Sequence, residues 1–583
     1  MIRKKYFSML AGASFTSIVN ALLLITDSII CGQMLGDRAV SAISLVSPIY
    51  NLSIFIAMLL SLGIPILYSR AMGSFRKKEA DQVFGCGLFT AIVGGFLIFI
   101  VVTFFQDAYL ARYHPTEELS QMAKDYLFWV RFELLLMPVA EVVVETVFAD
   151  GDEACIVEVS IVETGSNILL SILLCRTMGI AGVALASFIA VTLRLLVSLT
   201  HLLKKNNSIR LNLYFSFSIL RKSIRLAVID AGNYLSLTVF CYVLNAFIIW
   251  YFGPDMLILA AVILMVQEFQ LFFDGIGVVI TPIIIMYLSE RCYAGVRRVW
   301  HLASRTAVTL GGVVMILLIT LCGWLPGLLG ITDPALMETA SRGVILMSFG
   351  MISVSWLYLL TSYYRLLDRI LLSLAIGVLR DAVCVLGFLV VFGMLFGIYG
   401  VFLGIAVGAL AAHFLSLGYV LLRYKKENLP LLIADGEKEW KSAVFDLTIR
   451  PEAVVETRNA VEGFLREHQA EETVIRRCML VLEEVLMLVY EKNKGKKILG
   501  ECAMTMSPKK VLLVLRDNGV EYDLTDANMD IESFRCYIAP RILRQWTHEG
   551  KHLMTMSFNR NCLEVARQVY EEDTGTREAG DNC

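Results

Sequence analysis

Along residues 1 to 422 the hydrophobic positions neither alternate nor form one stripe; they gather into about twelve long runs. Each approaches the roughly 20 apolar residues a helix needs to cross a bilayer core. The runs fall near 7–32, 40–69, 83–106, 123–149, 154–175, 180–203, 224–251, 256–289, 303–326, 339–364, 370–394 and 398–422. Several are longer than a span requires, which predicts tilted or broken helices. The first run follows Arg3, Lys4 and Lys5, lacks a small-residue cleavage site and holds Asn20 and Asp27, so an uncleaved span is expected rather than a signal peptide.

Cations alternate from gap to gap. Arg70, Arg76, Lys77 and Lys78 fill the second gap, Lys204, Lys205, Arg210, Arg221 and Lys222 the sixth, Arg291, Arg297 and Arg298 the eighth, and Arg423, Lys425 and Lys426 follow the last run. Arg38, Arg112, Arg176 and Arg342 stand nearly alone in the gaps between. Short cytoplasmic loops are enriched in Lys and Arg, so a multi-pass protein of the cell membrane with both termini in the cytoplasm is predicted. The fourth gap, with Asp150, Asp152 and Glu153, is the one loop on the predicted cytoplasmic side without a cation.

Displacing the chain on itself by 217 or 218 residues sets Gly36 on Gly253, Pro65 on Pro282, and Gly179-Ile180-Ala181-Gly182 on Gly397-Ile398-Tyr399-Gly400. The expected architecture is therefore mainly α, twelve transmembrane helices in two parallel six-helix repeats, residues 1–217 and 218–426. Transporters with such repeats hold substrate between the halves and alternate its access. After Lys426 the pattern changes. Residues 427–443 read as a linker and 444–570 as a small cytoplasmic α/β sandwich, with strands at 444–450, 498–506, 510–516 and 551–559 and helices at 453–467, 472–493 and 531–545. Residues 571–583 read as a disordered tail.

Composition narrows the classes. Of 583 residues 57% are hydrophobic and 18% charged, the mean hydropathy is +0.68 and the net charge −2. A soluble enzyme would expose too much apolar surface, and nucleic-acid binding is not expected. The 13 cysteines show neither a CxxC nor a metal spacing, so no metal site is expected.

Asp27, in Leu24-Ile25-Thr26-Asp27-Ser28, is a carboxylate within an apolar run, and such a group is a functional candidate by default. It could take up and release a proton as access alternates. Further intramembrane acids are Glu133, Glu141, Glu145, Glu158, Glu163, Asp230, Glu268 and Asp274; Arg131, Arg194 and Arg380 could pair with them. Glu141, Glu145, Asp230 and Glu268 join Asp27 as candidates for ion coupling.

The segment Asp27-Ser28-Ile29-Ile30-Cys31-Gly32-Gln33-Met34-Leu35-Gly36, then Ala39, Ala42 and Pro48, the Gly151-Asp152 turn, Asn167, and Gly179 to Ala186 together resemble the multidrug and toxic compound extrusion family, MATE. The resemblance covers about residues 5–425. It implies a secondary transporter rather than an enzyme, embedded in the lipid bilayer and exporting small organic, often cationic, compounds across the cell membrane in exchange for protons or sodium. Asp27 then matches the family's coupling acid and Asn167 a polar partner. Ser171 and Ser236 stand where other members place a second acid.

Residues 444–570 resemble the GHKL ATP-binding fold in its anti-sigma-factor and serine-kinase-like branch, through Leu482-Glu483-Glu484-Val485 and Arg516-Asp517-Asn518-Gly519. Glu484, Asp517 and Gly519 are the nucleotide-site candidates that the resemblance implies. Leu488 replaces the magnesium-holding Asn, and Tyr537-Ile538-Ala539-Pro540-Arg541 replaces the glycine-rich loop. A degenerate module is expected, with at most weak ATP or ADP binding and a cytoplasmic regulatory protein as partner. The alternatives are a lipid-linked sugar flippase and a membrane-anchored ligand sensor.

Overall fold

The computed structural model describes residues 2–73, 76–204, 207–424, 430–508, 510–520, 542–544 and 559–566. Seventeen helices fill the apolar region. They are α1 (Ile2–Leu35), α2 (Asp37–Ser61), α3 (Gly63–Gly73), α4 (Lys77–Tyr113), α5 (Glu117–Ala149), α6 (Glu153–Met178), α7 (Ile180–Leu199), α8 (Phe217–Phe252) and α9 (Leu257–Glu268). Then come α10 (Leu271–Ser289), α11 (Tyr293–Leu321), the short α12 (Leu325–Leu328), α13 (Pro334–Ser348), α14 (Met351–Leu366), α15 (Ile370–Val378), α16 (Cys384–Phe396) and α17 (Ile398–Arg423). A π-helical turn, Leu379–Val383, joins α15 to α16.

Among the described residues nine helices are long and apolar enough to cross a membrane, ten if the pair α13 and α14, bent by 46°, is one span. Broken spans occur where long runs were expected: α2 and α3 divide at Leu62, α9 and α10 after Glu268. Helices α1 and α5 also lie on expected runs. Helix α5 carries Arg131, Glu133, Glu141 and Glu145, more charge than a plain lipid-facing span tolerates.

The paired glycines have one backbone conformation in each pair. Gly36 and Gly253 have φ of 88° and 98°, and each links two helices at positions where a side chain would be strained. Gly179 and Gly397 have φ of 62° and 68°. Three residues further on, a Cβ on Gly182 would lie 2.2 Å from the Leu174 carbonyl oxygen, and one on Gly400 would lie 1.9 Å from that of Phe392. These two helical hairpins close so tightly because those positions have no side chain.

Beyond α17 come α18 (Ala434–Glu439), β1 (Lys441–Thr448), α19 (Pro451–Glu467), α20 (Glu472–Lys492), β2 (Leu499–Met506), β3 (Lys510–Asp517), β4 (Ile542–Arg544) and β5 (Asn559–Ala566). The strands form one antiparallel sheet in the order β1-β2-β3-β5-β4. One expectation fails here: the end of the helix expected at 531–545 is strand β4, because it pairs with β5, a long-range choice that local periodicity does not encode. Strand β5 meets the strand expected at 551–559 only at Asn559. The remainder of that helix, residues 551–558, the 537–541 loop and the 571–583 tail lie outside the described residues.

By contacts the chain forms two compact units. One comprises Met1–Phe15, Gly275–Thr306 and Leu417–Cys583, the other Thr16–Asp274 and Ala307–Ser416.

Candidate functional site

Helices α1, α6 and α7 build the Asp27 site. Ser171 lies eight residues before the Gly179 turn and Ser187 eight after it, so in a tight antiparallel hairpin both stand about 12 Å from the turn and face the same level of α1. The Ser187 hydroxyl donates to Asp27 Oδ2 at 2.9 Å, and the Ser171 hydroxyl lies 3.4 Å from Oδ1. Asn167, one turn before Ser171, donates through Nδ2 to the Ser187 oxygen at 3.0 Å. Its Oδ1 is buried without a hydrogen bond. Asn167, Ser171 and Ser187 are all buried, whereas Asp27 is partly so.

The fold places Asp27 and Asn167 in one network, and the hydroxyls of Ser187 and Ser171 stand against the carboxylate. Sequence reasoning places Ser171 only where other members have an acid and gives no role to Ser187. Its equal spacing from the Gly179 turn was the available signal.

A second acid enters this neighbourhood. Glu133 of α5 is buried, accepts a hydrogen bond from the Tyr50 hydroxyl of α2 at 2.8 Å, and lies within electrostatic reach of Asp27. Tyr126, seven residues before Glu133 and so on the same face of α5, is near both acids. One carboxylate with hydroxyl and amide donors, a second acid nearby, and an unpaired amide oxygen form a set able to hold a proton or a small cation.

The other candidates are placed differently. Glu141 forms an ion pair with Arg194 at 2.9 Å, Glu163 joins the same guanidinium at 3.3 Å, and Glu145 is near Arg194. This is a buried charge cluster between α5, α6 and α7. Glu268 ends α9, within electrostatic reach of Cys241 and Tyr358. The side chain of Asp230 lies outside the described residues. Arg380 pairs with its neighbour Asp381 at 2.5 Å and stacks on Tyr358 at 3.6 Å, while Arg131 lies 4.4 Å from the Phe128 ring.

The acidic fourth loop finds its cation elsewhere. His201 Nε2 and Nδ1 lie 3.0 Å from Asp150 and 2.7 Å from Asp152, and Lys204 Nζ lies 2.6 Å from Asp152. Burial pushes the Asp152 carboxyl up, but the bonds from Lys204 and His201 outweigh it and hold it below its ordinary 3.8.

In the C-terminal sheet, Asp517 ends β3 and accepts the Gly519 N–H at 2.9 Å. Asn493 accepts the Val520 N–H at 2.9 Å, and a Cβ on Gly519 would lie 2.6 Å from its amide nitrogen. Glu484 is on α20, partly buried. The Asp-Asn-Gly segment is therefore a turn tied to the end of α20. Among the described residues no cluster of His, Cys, Asp or Glu could hold a metal ion.

These features define a multi-pass membrane protein with a transporter-type helical fold. The sequence model of the MatE family matches residues 13–173. Among solved structures the chain is similar to the inward-facing conformation of a multidrug resistance MATE family transporter of the MOP superfamily, at 17% identity over 72% of this chain and 96% of that one, with a TM-score of 0.66. It is also similar to a MOP superfamily transporter from Pyrococcus furiosus described as having a binding pocket of reverse polarity (17%, 72% and 96%, TM-score 0.57). A MATE structure in the bent conformation gives 19%, 75% and 96%, with a TM-score of 0.52. No curated protein matches the chain. The fold is MATE-like, and the first part of the chain carries that family's sequence pattern.

Proposed function

We propose that the protein is an ion-coupled antiporter of twelve spans, in two parallel six-helix repeats, exporting small organic, mainly cationic compounds by alternating access. The observation that carries this reading is the Asp27 carboxylate held by Ser187, Ser171 and the Asn167 network, with Glu133 nearby. A proton or sodium ion taken there on one side and released on the other would drive the exchange. Glu141 and Glu145 then serve the Arg194 cluster rather than the ion. The C-terminal lobe lies in the cytoplasm and regulates transport instead of hydrolysing ATP.

The test is substrate-dependent collapse of an imposed pH or sodium gradient in proteoliposomes. Asp27→Asn keeps the shape and removes the titratable charge, so it should abolish the collapse at normal expression. Unchanged transport would remove Asp27 from the mechanism.

A second reading has one observation in its favour. A polar pocket beside α8, α14 and α15 is lined by Arg365 and Arg380, with Asp274 and Tyr358. Its two guanidiniums suit a substrate with an anionic group, as a lipid-linked sugar flippase would require. Competition of anionic against cationic compounds for the same gradient collapse separates the two.

A further inference from the structure

The sheet of the C-terminal lobe is buried on both faces, and the lobe's own helices account for one. Cys502, Met504, Met506, Val511, Leu513 and Leu515 belong to the core that includes α19 and α20. The alternate residues, Glu501, Ala503, Thr505, Leu512, Val514 and Arg516, point the other way and are 0 to 7% exposed. A free-standing lobe would leave two charged groups among them, Glu501 and Arg516, facing water.

The turn between α10 and α11 stands on this second face. The Tyr287 hydroxyl donates to Glu501 at 2.8 Å. Arg516, directly opposite Glu501 in the β2–β3 register, donates to Glu501 at 2.5 Å and also to Glu290. The Thr505 hydroxyl donates to the Glu290 carbonyl at 3.3 Å, and the Ala294 N–H to Ser442 at 2.8 Å. Around these, Arg297 pairs with Glu437 and Arg298 with Asp446 on the more exposed rim. Tyr287, Glu290, Glu501 and Arg516 are each at most 2% exposed. A buried guanidinium between two carboxylates tolerates little change of geometry, because parting them leaves uncompensated charge.

Two more facts give this contact a direction. Arg516 and Asp517 are neighbours on β3, so the pin and the Asp-Asn-Gly turn are successive links of one strand on opposite faces. The same compact unit also contains the first turns of α1, where a Cβ on Gly275 of α10 would lie 3.4 Å from that of Ala13. Helix α1 opens the first expected repeat, whereas α10 and α11 belong to the second.

We propose that the C-terminal lobe is an autoinhibitory clamp on the α10–α11 hairpin, with Arg516 as the pin between Glu290 and Glu501. The proposal rests on the transport reading above. A change of access that moves α1 against α10 must work against a hairpin that the lobe holds in place. The docked lobe therefore holds this hairpin and the start of α1 in one arrangement, and so slows the cycle.

The test has two arms in the full-length protein. In the first, a protease site is placed at residues 427–429 and the chain is cut after purification in detergent. The wild-type lobe should stay with the membrane part, and Glu290→Ala and the isosteric Glu290→Gln, both outside the lobe, should release it. The rim variant Arg297→Ala should retain it. Retention by both Glu290 variants at the wild-type level overturns the pin. In the second, uncut Glu290→Gln in proteoliposomes should raise the initial transport rate roughly threefold or more. An unchanged or lower rate overturns the clamp as a brake. If the wild type transports nothing, the transport reading fails, while the cleavage arm still decides whether Arg516 and Glu290 hold the lobe.

Discussion

At the scale of single residues the Asp27 cluster divides into what a chain can announce and what only packing creates. An acid inside an apolar run is conspicuous because its burial is expensive, so Asp27 was legible at once. Ser187 and Tyr50 were not, since hydroxyl side chains are common in membrane helices and become donors to an acid only when three helices meet. Ser187→Ala should therefore weaken ion coupling without abolishing it. A hydrogen bond to a charged acceptor contributes about 1.5–3 kcal/mol, on the order of a tenfold or greater loss of ion affinity, measurable as a shift in the ion concentration that half-saturates transport. Asp152 makes a different prediction. Its carboxyl is held below the ordinary 3.8 in the folded state, although burial opposes this, because Lys204 and His201 bond to it. The stability it contributes is fully present above that ordinary value and is lost as pH falls through the lower, folded one. Melting of the detergent-solubilised protein between pH 3 and 7 should show this acid-side loss in the wild type and a smaller one in Asp152→Asn.

At the scale of elements, glycine was the most informative residue. The Gly179 and Gly397 hairpins could be located from sequence because a repeated Gly-x-x-Gly joins two apolar runs at each site, and the structure supplies the reason: carbonyls of the preceding helix occupy the space where Cβ atoms of Gly182 and Gly400 would be. Adding one methyl at either site should cost about 1–3 kcal/mol through forced displacement, so Gly182→Ala and Gly400→Ala should each melt several degrees lower while the half-buried Gly312→Ala, with nothing within 4 Å of its Cβ, should not. Strands β1, β2 and β3 and helices α19 and α20 were legible to within a few residues, since each has its own apolar period. Strands β4 and β5 were not, because their pairing joins segments far apart in sequence. The same limit hid the second sheet face: nothing in the strands' own period marks Glu501 and Arg516 as interior, and the α10–α11 turn makes them so. The expected resemblance of the lobe to a degenerate GHKL fold, with Leu488 where a magnesium-holding Asn would stand, predicts that binding of ATP, measured by calorimetry on the full-length protein, should be weak and insensitive to magnesium.

At the scale of the whole molecule, composition and cation spacing made a multi-pass membrane protein legible, whereas the number of spans is harder to read because function places charge inside helices such as α5. Sidedness can be argued from contacts between loops, which must lie at one face of the bilayer to touch. Arg38, after the first run, pairs with Glu118, before the fourth, and Gln33 donates to the Gly327 carbonyl at 2.7 Å, between the ninth and tenth. All three belong to the cation-poor set. Asp150 and Asp152, after the fourth run, meet His201 and Lys204, at the sixth gap, and both belong to the set assigned to the cytoplasm. The loop lacking its own cation thus borrows one from a loop of the same parity, which removes the one exception to the charge rule. The lobe stands on the α10–α11 turn, at the eighth gap, whose cations predict the same side. The prediction is that Glu118→Cys, on the cation-poor side, will react with a membrane-impermeant thiol reagent in intact cells, whereas the exposed Asp435→Cys in α18 will react only after permeabilisation, each read above the wild-type background. The reverse pattern would invert the molecule in the membrane. Labelling of both positions in intact cells would break the parity argument itself, and with it the even number of spans.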